Sequence, residues 1–206
     1  IEKQDVMPES LKRETIEEIT YTAQELQLLS TNIMNWMKYQ NENRKQIKET
    51  FNFFQVTSQV TGVLKSIARQ KNIRLINFIP EELNIYQYYE PLKILLYNLL
   101  SNAINFSSFG EIKIGVIPEG NNIILTVEDK GVGMTQDQVK NILSDDFIIS
   151  SANIDNRKGN GLGYLIIKDL LKMMEGKITI ESKKGKGTIV SVTFPSTIGN
   201  NVLQEK

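Results

Sequence analysis

The chain has 206 residues, 40% hydrophobic and 23% charged, ordinary for a globular protein with room for one full domain and an extra piece. Its formal net charge is zero, so no basic stripe points to nucleic acid as the main partner. Cysteine and histidine are both absent, which excludes disulfides, thiolate nucleophiles and imidazole bases, ligands or phosphate acceptors; any metal must be held by oxygens, favouring a hard ion such as Mg²⁺.

No apolar run approaches the roughly 18 residues a membrane helix needs, and no signal-peptide pattern opens the chain. It begins on Ile1 rather than Met, which suggests a piece of a longer protein. Residues 10 to about 46 read as one long helix. Ile16, Ile19, Ala23, Leu26, Ile33, Met37 and Gln40 follow three-four spacing, with Ser30 on the seam and Met34 and Trp36 broadening it. Such a stripe has no core of its own and wants a partner helix; a surface helix folded back on the next domain is the plainer alternative.

The polar run "NENRKQIKET" (41–50) marks a boundary. "NFFQ" (52–55) then has the form of a capping box, and Phe53, Val56, Val60, Val63, Leu64 and Ile67 define an amphipathic helix ending near Lys71. "IRLINFI" (73–79) and "NIYQYY" (84–89) read as strands separated by "PEE".

The next helix should start at Pro91. Leu92, Leu95, Leu96, Leu99, Ala103 and Phe106 form its core-facing stripe, yet Asn98, Asn102 and Asn105 recur at four- and three-residue spacing and share a face. Asn is a poor residue inside a helix, and burying its amide unpartnered costs about 1–3 kcal/mol. Something polar should lie against these amides. An isolated buried Asn is otherwise most often a satisfied structural residue.

"EIKIGVI" and "NIILTVED" form a hairpin across "PEGN", and "QDQVKNIL" a short helix. Residues 144–160 are polar and without period, as in a functional lid or a disordered stretch; Phe147, Ile148 and Ile149 are its apolar exceptions. "GLGYLIIKDLLKMMEG" is a further helix with Gly176 as its stop, and "KITIES" and "TIVSVTF" close a last hairpin across "KKGKG". Helices alternating with hairpin-connected strands predict an α+β fold, a two-layer sandwich with helices on one face of the sheet.

Two glycine motifs carry chemistry. In "EDKGVGM" a strand ends in Asp129 and runs into Gly131 and Gly133, where backbone can approach a ligand closely. A carboxylate there suits an amino group, such as the exocyclic amine of adenine, better than a phosphate. In "GNGLGY", Gly159, Gly161 and Gly163 open a helix whose N-terminal N–H groups favour anions. Each motif alone is weak; the order of asparagine helix, Asp-Gly-x-Gly, lid and glycine-rich helix start is the stronger signal.

That order resembles the ATP-binding domain of sensor histidine kinases, and more widely the gyrase, heat-shock chaperone and mismatch-repair ATPases. "NLLSNAINFS" is similar to the family's N box, "DKGVGM" to its first glycine box, "DDFIIS" to a degenerate phenylalanine box, "GNGLGY" to its second glycine box and "GKGTIVSVTFP" to its closing strand. The resemblance spans about residues 50–195. The heptad helix before it resembles the second helix of the kinase dimerisation domain.

The resemblance implies that Asn102 coordinates Mg²⁺ bridging the ATP phosphates, with Asn98 assisting. Asp129 would bind the adenine amine, Gly131 and Gly133 would shape the base pocket, and Thr188 would lend a hydroxyl. Gly159, Gly161, Leu162 and Gly163 would hold the phosphates, with Arg157 or Lys158 neutralising them. Asn105 stands where the family commonly has a phosphate-reaching Lys. Tyr164, Asn160 and Lys130 also depart from the usual Leu, Ser or Thr, and Asn.

The implied division is a partial dimerisation helix (1–48) lacking the phosphoacceptor, an ATP-binding catalytic domain (49–198) and a tail (199–206). The implied activity is transfer of the ATP γ-phosphate to a histidine upstream of this chain, for relay to a response regulator, within a homodimer. The implied setting is the cytoplasmic part of a membrane-anchored bacterial sensor. A degenerate module, in which nucleotide only sets conformation or dimer contacts, is the main alternative. A Ser-directed kinase or a gyrase-like ATPase is a third, although the latter usually has an acidic base where this chain has Asn98.

Overall fold

The computed structural model describes residues 8, 9, 11, 12, 15, 16, 19, 30, 34, 47–144 and 162–198. The chain divides into two units, Ile1–Asn43 and Arg44–Lys206. In the first, the described residues from Glu9 onward are helical, and Ile16, Ile19 and Met34 of the expected stripe are largely exposed. No helix among the described residues is long and apolar enough to cross a membrane.

The second unit contains β1 (Glu49–Asn52), α1 (Phe53–Gln70), β2 (Ile73–Asn77), β3 (Asn84–Gln87), α2 (Tyr89–Asn105), β4 (Gly110–Glu119), β5 (Asn122–Asp129), α3 (Gln136–Leu143), α4 (Leu162–Met173), β6 (Lys177–Lys183), β7 (Gly187–Pro195) and β8 (Thr197–Ile198). The main sheet runs β2-β4-β5-β7-β6, with β2 and β4 parallel and the other pairs antiparallel. The one parallel pair is joined by a long connection containing β3 and α2, as parallel strands require. A small antiparallel sheet, β1-β3-β8, stands apart. The expected α+β sandwich is the observed fold.

Period-two burial on the strands selects the core face. Ile123, Leu125 and Val127 of β5, Val190, Val192 and Phe194 of β7, and Ile112 and Ile114 of β4 are buried. Against them lie the apolar stripes of α1 (Phe53, Val56, Val60, Leu64), α2 (Leu92, Leu95, Leu96, Leu99) and α4 (Ile166, Ile167, Leu170, Leu171). The same alternation carries Asp129 and Thr188 onto the inward rows of β5 and β7, where both are buried. Two polar side chains thus end two hydrophobic rows.

Several boundaries differ from the sequence reading. α2 starts at Tyr89, so the second expected strand ends at Gln87 and Pro91 sits within the first helical turn, where its missing N–H costs nothing. β1 and β8 were not expected; each is short and pairs only with β3. At α1, Asn52 Oδ1 accepts from the Gln55 N–H at 2.8 Å, so the expected cap forms. The full reciprocal box is instead at α3, between Thr135 and Gln138. At the end of α4 the left-handed residue is Glu175 (φ 56°) rather than Gly176. Gly176 is required by space: a Cβ there would lie 2.8 Å from both Leu171 Cδ2 and Thr193 O.

Candidate functional site

The asparagine face of α2 is only partly satisfied. Asn98 is 1% exposed; its Nδ2 donates to Ile94 O at 2.8 Å, while its Oδ1 has no partner among the described residues. One turn on, Asn102 Nδ2 is buried and likewise unpartnered. Opposite it stands Gly163 of α4, where a Cβ would come within 3.1 Å of both polar atoms of the Asn102 amide. The start of α4 thus faces Asn102 with a glycine rather than a polar side chain, and the Asn102 Nδ2 has no partner among the described residues. Asn105 is half-buried. Its carbonyl and that of Ile104 accept from Lys71 Nζ at 3.4 and 2.9 Å, which places a cation on the negative end of α2.

The Asp129 side of the site is built differently. Asp129 and Thr188 are cross-strand partners on β5 and β7, and Thr188 and Ser182 on β7 and β6, so the three side chains form a polar row on one face. Asp129 Oδ1 accepts from the Gly131 N–H at 2.7 Å, and the Thr188 backbone N–H also bonds the carboxylate. Burial nevertheless dominates and raises the carboxyl above its usual range, with the Glu128 charge adding to the rise and the two N–H bonds opposing it. Ser182 was not singled out from the sequence, although its hydroxyl accepts from the Met134 N–H at 2.8 Å, bonds Gly187 O at 3.0 Å and meets Thr188 Oγ1 at 2.9 Å. Its position directly across from Thr188 in the expected last hairpin was the available clue.

The glycines of this turn are needed for packing against protein backbone. A Cβ on Gly131 would lie 2.2 Å from Phe106 O, and one on Gly133 (φ 62°) would lie 2.1 Å from Lys183 O. Gly187 (φ 100°) would meet Asp129 O at 2.1 Å. Val132 N–H donates to Phe106 O at 3.0 Å, and Gly185 N–H to Val132 O at 2.7 Å. The Asp-Gly-x-Gly turn is thereby fastened to the end of α2 and to the β6–β7 turn. The close approach these glycines permit is to the protein itself.

Arg157, Lys158, Gly159 and Gly161, together with Phe147, Ile148 and Ile149 of the expected lid, lie outside the described residues. Leu162 and Gly163 begin α4. Tyr164 follows; burial, and then the negative charge of Asp129, hold its phenol well above the usual range. Lys168 Nζ donates to Ser144 O, joining α4 to the end of α3. Among the described residues no cluster of three His, Cys, Asp or Glu could hold a metal. The open Asn98 Oδ1 suits a hard cation, since an amide oxygen ligates it without adding charge beside an anionic ligand, whereas the unpartnered Asn102 Nδ2 is a donor and suits an anion.

Residues 88–198 match the model of the histidine kinase-, DNA gyrase B- and HSP90-like ATPases. The chain belongs to this ATPase family. Among its curated relatives are the sensor histidine kinase RcsC of Escherichia coli (strain K12), 28% identical over 167 residues, covering 80% of this chain and 18% of RcsC. The autoinducer 2 sensor kinase/phosphatase LuxQ of Vibrio harveyi is 25% identical over 201 residues, 94% of this chain and 23% of LuxQ. The chain thus spans about a fifth of the length of these relatives. In fold it is similar to full-length ShkA in complex with AMPPNP, with TM-score 0.69, 17% identity and coverage of 95% of this chain and 41% of that one. It is also similar to the catalytic domain of histidine kinase ThkA, with TM-score 0.61, 22% identity and coverage of 72% and 95%. The part of the chain that carries the asparagine face and the Asp-Gly-x-Gly turn is a domain of this ATPase family, and these relatives and fold neighbours are histidine kinases.

Proposed function

We propose that this chain binds Mg-ATP and donates its γ-phosphate to a histidine of the sensor kinase to which it belongs, for relay to an aspartate of a response regulator. The observation that carries the reading is the opposition of Asn102 and Gly163 on neighbouring helices, with Asp129 at the end of an adjacent buried strand row. Asp129, accepting from an amino group, would hold adenine between the Gly131–Gly133 turn and Thr188. Gly163 and the preceding Gly159 and Gly161 would hold the phosphates, with Arg157 or Lys158 offsetting their charge. Asn102, with Asn98 one turn away, would hold the cation; when bound, Mg²⁺ offsets charge on the phosphates. Asn105 supplies no cation to them, and Lys71, at that helix end, is engaged with the Ile104 and Asn105 carbonyls.

Residues 1–48 would be a dimerisation helix, 49–198 the catalytic domain and 199–206 a tail, in a homodimeric, membrane-anchored receptor whose catalytic part faces the cytoplasm. Phosphoryl transfer of this kind rests mostly on positioning and charge stabilisation, so a bound nucleotide without an acceptor hydrolyses slowly at best. The test is radiolabelled ATP given to this chain and to a longer polypeptide that includes the upstream helix. This chain, having no histidine, should bind ATP and take up no acid-labile label. The longer one should take up label that acid removes, as phosphohistidine does. Acid-stable label on this chain would favour a Ser-directed kinase. ATP binding with no label on either would favour a module in which nucleotide only sets conformation.

A further inference from the structure

The inward row Asp129–Thr188–Ser182 crosses three strands at the mouth of the site, and Ser182 makes three polar contacts with a single proton to give. The Met134 N–H donates into Ser182 Oγ, at 2.8 Å. Gly187 O lies 3.0 Å from the same Oγ and can only accept. If the Ser182 proton pointed to Thr188 instead, two oxygen lone pairs would face each other across that 3.0 Å in a part-buried place. The Ser182 proton therefore belongs to Gly187 O. The 2.9 Å contact between Ser182 Oγ and Thr188 Oγ1 must then be a hydrogen bond from Thr188 to Ser182.

We infer that Ser182 is a positioning residue for base selection: by taking the proton of Thr188, it leaves Thr188 presenting only an acceptor beside the carboxylate of Asp129. Thr188 is 8% exposed, as is Asp129, so little water can substitute for a mismatched partner there. Two adjacent acceptors fit a purine bearing an amino group at this position and oppose one bearing an oxo group, whose lone pairs would meet theirs. The inference rests on the reading of Asp129 as the base-binding carboxylate. It adds that discrimination is shared with a hydroxyl whose direction is set from the neighbouring strand.

The experiment compares the affinities of ATP and inosine triphosphate, which carries oxo in place of the amine and a hydrogen on N1, for the wild-type chain and for Ser182→Ala, Ser182→Thr and Thr188→Val. In Ser182→Ala the Thr188 hydroxyl is free to turn and donate, so the preference for ATP should narrow by about fivefold or more, mostly through tighter inosine triphosphate. Ser182→Thr keeps a hydroxyl in place and should keep the wild-type ratio, which a merely structural role for Ser182 would not require. Thr188→Val should weaken ATP and not inosine triphosphate, and Ser182→Ala should change the ratio no further on that background. An unchanged ratio in Ser182→Ala with ATP still bound overturns the inference. So does equal weakening of both nucleotides by Thr188→Val, which decides the matter alone if Ser182→Ala does not fold. A wild-type chain that binds the two nucleotides equally overturns the Asp129 reading itself.

Discussion

The two halves of the candidate site are prepared to different degrees. Around Asp129 the polar groups are engaged: two backbone N–H groups hold the carboxylate, Ser182 bridges three partners, and the glycines abut protein backbone at distances no side chain tolerates. Around Asn98 and Asn102 an amide oxygen and an amide nitrogen are buried with no partner among the described residues. The first half is assembled before any ligand arrives, and it should contribute shape. The second is held in a locally unfavourable state, which a ligand would relieve. On the proposed function, the engaged half would govern folding and selectivity, and the open half would set metal-nucleotide affinity.

The largest effect expected on that contrast comes from the engaged half. Gly133→Ala places a methyl group 2.1 Å from Lys183 O at a φ of 62°. It should destabilise the domain by about 3 kcal/mol or more, read as a fall in the urea midpoint, and abolish ATP binding with it. If Gly133→Ala folded with wild-type stability, the turn would not be fastened as described.

Asn102→Ala should separate the halves. Binding of a fluorescent ATP analogue in Mg²⁺ should drop by roughly a hundredfold, a loss of about 2–3 kcal/mol. Stability of the empty domain should be unchanged or slightly higher, because an unpartnered buried amide is removed. Unchanged affinity would remove Asn102 from the site.

Asp129→Asn should cost about 1–3 kcal/mol of ATP binding and erode the preference for ATP over GTP, read by competition. The carboxyl also sets a pH dependence. Its folded-state pKa is raised from 3.8 mainly by burial, so the folded state holds the proton more tightly than the unfolded state. Stability from this group is therefore full below 3.8 and is lost as pH rises through the raised folded value. ATP binding, which on the proposed function uses the ionised form, should run the other way and weaken as pH falls through the same window. Parallel wild-type and Asp129→Asn titrations, by melting and by ATP affinity, should show these opposite slopes only in the wild type.

The smallest effect is a control at the start of α1, on residues that bond neither half. Asn52→Ala removes the cap on α1 and should cost about 1 kcal/mol of stability with ATP affinity unchanged.

What was legible in the sequence follows the same division. Among the described residues of the second unit, periodicity found each helix and the five strands of the main sheet, because each buries one face of a regular repeat. It missed β1 and β8, whose four and two residues are too short to show a period and are strands only because β3 lies between them. The polar residues that break a pattern, Asn98, Asn102 and Asp129, were visible against their apolar neighbours. Ser182 was not, since a serine in a half-exposed edge strand breaks nothing; its importance lies in what stands across from it. Lys71 was legible as a helix end, but its reach to the far end of α2 exists only in three dimensions.

The small sheet has a consequence for the order in which the domain can be completed. Ile85 pairs with Ile198, Gln87 Nε2 donates to Pro195 O at 2.7 Å, and Ser196 Oγ bonds Tyr86 O. Each contact joins the middle of the chain to residues more than a hundred positions later, so closing it carries the largest loop entropy among the strand pairings. During synthesis β1 and β3 can pair while residues 195–198 are still inside the ribosome, but β3 keeps one bare edge until Thr197 and Ile198 emerge. Among the described strands β8 is therefore the seal on an edge that would otherwise be open to a neighbouring chain.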